Sequence, residues 1–90
     1  MNYLQLRLFN QIETWEDVKN MGYIISCNSQ HINPDYKYYI KLDKNILEHV
    51  TTDKILDIIK KTFCGAYGGS YNLDILSDCV YITAWEYNDW

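Results

Sequence analysis

The chain has 90 residues, with 8 Lys and Arg against 12 Asp and Glu for a net charge of −4, and it is 48% hydrophobic and 22% charged. That length holds one domain, and that composition packs a core rather than staying disordered. The acidic balance argues against a general nucleic-acid binder, whose affinity comes from Lys and Arg on phosphates. No run approaches the roughly 18 apolar residues that span a bilayer, and Gln5 and Arg7 interrupt any signal-peptide core.

Tyr3 to Phe9 alternates, with Leu4, Leu6 and Leu8 on one face, which is the period of a half-buried strand. Thr14 then caps a short helix over Trp15 to Met21, with Glu16 and Asp17 at its positive end and Gly22 closing it. Its apolar stripe is Trp15, Val18 and Met21. Tyr23 to Asn28 reads as a second strand, followed by a polar connection, Ser29 to Asp35, that ends in a turn at Asn33-Pro34-Asp35. Tyr36 to Asp43 is the clearest strand. Tyr36, Tyr38, Ile40 and Leu42 take one face; Lys37, Tyr39, Lys41 and Asp43 take the other.

Lys44 to Val50 allows one helical turn with Ile46, Leu47 and Val50 inward. Thr51 or Thr52 caps a second helix running to about Cys64, with Ile55, Leu56, Ile59 and Phe63 as its stripe and Gly65 as its stop. Gly65 to Ser70 reads as a flexible loop. Tyr71 to Leu76 and Cys79 to Tyr87 form a closing hairpin, with Val80, Ile82 and Ala84 facing the core and Tyr81, Thr83, Trp85 and Tyr87 facing out. The order β-α-β-β-α-β, with an extra C-terminal strand, predicts an α+β ferredoxin-like sandwich: an antiparallel sheet with its helices on one face.

The chemistry-bearing patterns are thin. Cys27, Cys64 and Cys79 form no C-x-x-C pair, which excludes a zinc ribbon or a thioredoxin-like motif. They read as buried, inert thiols in a reducing cytoplasm. Asp35-Tyr36-Lys37 has the Asp-x-Lys form of a metal nuclease, but the preceding strand offers Ser26 and Asn28 where a second carboxylate is needed. His31 and His49 lack partners spaced to complete a zinc set. Gly65 to Ser70 has the glycines of a phosphate loop without its lysine. No catalytic group, metal or cofactor is expected.

Aromatic content is the feature that points outward: nine Tyr and three Trp, with only two Phe. The strand phases leave one sheet face without helices, showing Tyr3, Arg7, Tyr39, Lys41, Tyr81 and Trp85; the acidic C-terminal edge, with Glu86, Tyr87 and Asp89, is the other surface offered to a partner. Tyr and Trp recur at binding hot spots because they offer large area at little rotamer entropy. A protein partner is the first expectation. The alternatives are bases stacked on the same rings with Lys37, Lys41 and Arg7 on phosphates, a small enzyme, and burial of the face in a homodimer.

Ile, Asn, Lys and Tyr dominate the chain and Lys outnumbers Arg seven to one, a bias that fits an AT-rich bacterium or its phage. No residue motif identifies a family. In size, acidity and lack of catalytic sets the chain resembles anti-CRISPR proteins, the short single-domain inhibitors that phages direct at host defence. The resemblance implies non-enzymatic blockade of a nuclease or its nucleic-acid groove, steric or electrostatic. The acids available for mimicry are Glu13, Glu16, Asp17, Asp74, Asp78, Glu86 and Asp89.

Overall fold

A computed structural model describes residues 12–88. The expected strand over Tyr3 to Phe9, and the expected binding residues Tyr3, Arg7 and Asp89, lie outside the described residues. The remaining elements are α1 (Trp15–Asn20), β1 (Ile24–Ile32), β2 (Asp35–Asp43), a 3-10 helix (Lys44–Glu48), α2 (Thr52–Phe63), β3 (Gly69–Ile75) and β4 (Cys79–Glu86).

The helices begin where side chains can serve their unpaired N–H groups. Thr14 Oγ1 accepts from the Asp17 N–H at 3.3 Å, and Asp17 Oδ2 accepts from the Thr14 and Glu13 N–H groups at 3.0 Å each. This reciprocal capping box satisfies the first turn of α1, and it holds the Asp17 carboxyl below its usual range, the Glu13 N–H being the largest cause. Gly22 closes α1 at φ +78°, where a side chain would be strained. Thr51 caps α2 through the Lys54 N–H at 3.2 Å.

Gly65 plays a different part from the one expected of a helix stop. α2 ends at Phe63 with Cys64 extended, and a Cβ on Gly65 would run into the Glu86 carboxylate. Space, not left-handed backbone, favours glycine there, since any larger residue would displace the Glu86 carboxylate. The Gly65 to Gly68 stretch is a tight turn closed by the Gly68 N–H donating to the Gly65 carbonyl at 2.9 Å, and the strand already begins at Gly69.

The sheet has the order β1-β2-β4-β3, and every neighbouring pair is antiparallel. Among the described residues, two α-helices and a four-stranded antiparallel sheet make the α+β class. The strand order does not reproduce the expected ferredoxin-like pattern, which sets the chain's first strand between the hairpin and the later strands. Here β2 bonds directly to β4, Tyr36 opposite Glu86 through Asp43 opposite Cys79. The additional C-terminal strand thus fills that central position. It has the apolar alternation needed to do so: Val80, Ile82 and Ala84 are buried beside Leu42, Ile40 and Tyr38.

These residues form one core with Ile12, Val18, Ile46, Ile55, Ile58 and Ile59, so the helices cover one side of the sheet. At roughly 1.5–3 kcal/mol for each fully buried aliphatic side chain, this layer is the main stabilising term. Ile58 joins the buried stripe, while Leu56 is only half-buried. A row of rings seals the joint: Trp15 meets Phe63 edge-on at 5.0 Å, Phe63 meets Tyr38 at 4.9 Å, and Tyr36 stacks on His31 at 4.6 Å.

β1 runs to Ile32, four residues past its expected end, because its polar outer half needs only ladder hydrogen bonds from β2. The register slips between Ile24 and Ser26, opposite Leu42 and Lys41. This bulge sends Ile24 to the core and leaves Ile25 54% exposed. Among the described residues no helix is long and apolar enough to cross a membrane.

Candidate functional site

Alternation along β2 and β4 puts Lys37, Tyr39, Lys41, Tyr81, Thr83 and Trp85 on the sheet face opposite the helical core. All six are half-buried by their neighbours in the sheet. The register arranges the face in rows. Gln30, Lys37, Trp85 and Ser70 form one; Asn28, Tyr39, Thr83 and Asn72 the next; Ser26, Lys41, Tyr81 and Asp74 the third.

The centre of this face is a cation held by rings. Lys37 Nζ lies 4.3 Å from the Trp85 ring centroid and 5.3 Å from that of Tyr39. Lys37 and Trp85 are cross-strand partners, and Tyr39 follows two residues along β2, so both contacts come from the register itself. Tyr87 extends the face past the end of β4, its hydroxyl donating to Ser70 Oγ at 3.2 Å. Asn88 is tied to the start of β2: its N–H donates to Asp35 Oδ1 and its side-chain amide to the Pro34 carbonyl, both at 3.2 Å.

Of the residues singled out in the sequence, the structure brings together Tyr39, Lys41, Tyr81, Trp85 and Tyr87. Glu86 is not among them. One residue on from Trp85, it points to the opposite side of β4, where Tyr38 Oη donates to Glu86 Oε2 at 2.8 Å. Sequence reasoning missed the clamp on Lys37 and the polar rim of Asn28, Gln30, Ser70 and Asn72. The alternation of β2 placed Lys37 on the face, but nothing local reveals that Trp85 lies across from it.

The charges on the face are mixed. Along β2 the side away from the helical core carries Asp35, Lys37, Tyr39, Lys41 and Asp43 in turn, and Asp74 lies at its β3 rim. Elsewhere, three of the acids offered for mimicry are engaged locally. Glu13 pairs with Lys54, Glu16 with Lys19 at 3.6 Å, and Asp17 caps α1.

The cysteines differ from the expectation of three buried thiols: Cys79 is buried, Cys64 half-buried and Cys27 exposed. Cys27 shares the core phase opposite Ile40 but lies on β1, beyond the cover of the helices. Desolvation pushes all three thiols above their ordinary range, the opposite of an activated nucleophile. The groove beside His49 is lined by Leu47, Glu48, Val50 and Thr51, which brings a single carboxylate to it. Among the described residues no group of three or more His, Cys, Asp or Glu could hold a metal ion.

Comparison with protein-family models, curated proteins and solved structures returns no match. The functional reading therefore rests on the geometry of the sheet face.

Proposed function

We propose that this chain is a non-enzymatic protein-binding module that docks through the sheet face opposite the helical core, centred on Lys37, Tyr39 and Trp85. The observation that carries the reading is the placement of Lys37 over the Trp85 ring at 4.3 Å, on a face rimmed by amide and hydroxyl side chains. A rigid aromatic anchor with hydrogen-bonding groups around it has the make-up of an interface hot spot. The charge pattern favours a protein over a nucleic acid. Asp35, Asp43 and Asp74 offset Lys37 and Lys41, whereas a phosphate-tracking face needs a surplus of cations. Lys37 also occupies the ring faces on which a base would stack.

The wider reading is of a cytoplasmic inhibitor of a nucleic-acid-processing defence complex, after the manner of anti-CRISPR proteins. It rests on the resemblance in size, acidity and lack of catalytic sets. Within it, steric blockade is better supported than electrostatic mimicry, because Glu13, Glu16 and Asp17 are tied up in ion pairs and a cap.

Affinity capture from host lysate with the wild-type chain and a Tyr39→Ala/Trp85→Ala variant tests the proposal. A partner held by the wild type and lost by the folded variant supports it. The same partners on both would remove the sheet face as the docking site. Salt-sensitive binding of single-stranded RNA by the wild type would replace the protein reading with a nucleic-acid one.

A further inference from the structure

β3 is an edge strand among the described residues, its ladder being with β4 alone. Two hydrogen bonds fix which of its backbone groups face outward. Leu76 N–H donates to the Cys79 carbonyl at 2.8 Å, and Tyr87 N–H donates to the Gly68 carbonyl at 3.1 Å. The register between these points is unbroken. Bonded residues alternate in an antiparallel ladder, so Ser70, Asn72 and Asp74 bond to β4 while Tyr71, Leu73 and Ile75 point N–H and C=O away from it.

Of the devices that keep sheets apart, this edge carries only the charge of Asp74. β3 contains no Lys, no Pro and no bulge, whereas the opposite edge strand, β1, is bulged at Ile25. On the helix side of β3, Tyr71 is 40% and Ile75 49% exposed. On the other side, Asn72 and Asp74 are exposed.

We propose that β3 is a self-association edge, through which a second copy of the chain pairs antiparallel about a two-fold axis at Leu73. That register sets outward-pointing residues opposite one another: Tyr71 meets Ile75 of the second copy, and Leu73 meets its own counterpart. Each pair exchanges two backbone hydrogen bonds, and Tyr71 with Ile75 is an aromatic–β-branched pair of the kind that stabilises sheets. On the other side, the Asn72 amide, which already donates to Asp74 Oδ2 of its own strand at 3.5 Å, has a second N–H to offer the Asp74 carboxylate of the second copy, twice by symmetry. Moving the axis to Asn72 would set Ile75 against Gly69 and Asn72 against itself, losing both complementarities. The interface is isologous and closes, joining two four-stranded sheets into one. It leaves the Lys37–Trp85 face uncovered, so it stands or falls apart from the docking proposal.

Sedimentation velocity on the full chain across a range of concentrations tests it, with substitutions at exposed positions. The expected result is a reversible monomer–dimer equilibrium. Asn72→Asp sets two like-charge pairs across the joint and weakens the dimer roughly ten-fold. Asn72→Lys sets a cation against each Asp74 and tightens it several-fold. The exchange Asn72→Asp/Asp74→Asn restores wild-type affinity by reversing donor and acceptor. A monomer at every concentration up to the high micromolar range would overturn the proposal. So would Asn72→Asp and Asn72→Lys shifting the equilibrium in the same direction.

Discussion

Tyr38 and Glu86, 48 residues apart in the chain, are joined by a 2.8 Å hydrogen bond from the phenol to the carboxylate on the helical side of the sheet. Burial, and then this bond to Glu86, pushes the Tyr38 hydroxyl up to about 12. The neutral phenol is thus favoured in the folded state. Its contribution is fully present below pH 10, the ordinary tyrosine value, and is lost as pH rises through about 12. Urea unfolding followed from pH 8 to 12 should show stability falling over that window. Tyr38→Phe should cost about 1–2 kcal/mol at neutral pH, because Glu86 loses its donor. It should also flatten the alkaline fall, leaving the contribution of Tyr23, which burial raises as well.

The capping box of α1 sets the acid side. Asp17 is held below the ordinary value of 3.8, so its contribution is present above that pH and is lost as pH falls through the lower, folded value. Thermal melts between pH 2 and 5 should show a drop that Asp17→Asn removes. At neutral pH, Thr14→Ala should cost about 1 kcal/mol through the other half of the box.

Gly22 and Gly69 should respond in opposite ways to the same substitution. At Gly22 nothing lies within 4 Å of an added Cβ and only the positive φ of +78° resists, so Gly22→Asn should be close to neutral, Asn being the residue that tolerates that conformation. At Gly69 an added Cβ runs into the Trp85 backbone carbonyl and Cys64 Sγ. Gly69→Asn should destabilise by roughly 2 kcal/mol or more, since a backbone oxygen in a paired strand cannot move aside. Denaturation midpoints of the two variants decide this.

The bulge in β1 makes a similar contrast between neighbours. Ile25 is 54% exposed, so Ile25→Ser should fall within about 0.5 kcal/mol of wild type. Ile24 packs against the core, and Ile24→Ala should cost roughly 2 kcal/mol by opening a cavity beneath the sheet. Equal effects in chemical denaturation would mean that the register of β1 is not the one described.

Much of the local structure was legible because its causes lie within a few residues of one another. Thr14, Asp17 and Gly22 mark α1 by chemistry that acts across one turn, and the alternation from Tyr36 to Asp43 declares both faces of β2. The proposed docking face was half legible for the same reason: Tyr39, Lys41, Tyr81 and Trp85 follow from parity once the strands are recognised. Glu86 was read with the acidic tail, and parity along β4 puts it on the opposite side from Trp85, beside Tyr38. In β1, no local pattern distinguishes Ile24 from Ile25, since the bulge that separates them is a property of the pairing with β2.

Tertiary structure decided what depends on residues distant in sequence. Val80, Ile82 and Ala84 carry the same alternation that any central strand would show, so β4 could be recognised as apolar on one side without revealing that its neighbour is β2. That choice departs from the expected ferredoxin-like order, and it alone brings Lys37 onto Trp85 and Tyr38 to Glu86. Periodicity and caps are short-range and written residue by residue. Strand order is settled by which apolar faces bury best together, and interchangeable strands of similar pattern leave that competition to the folded chain.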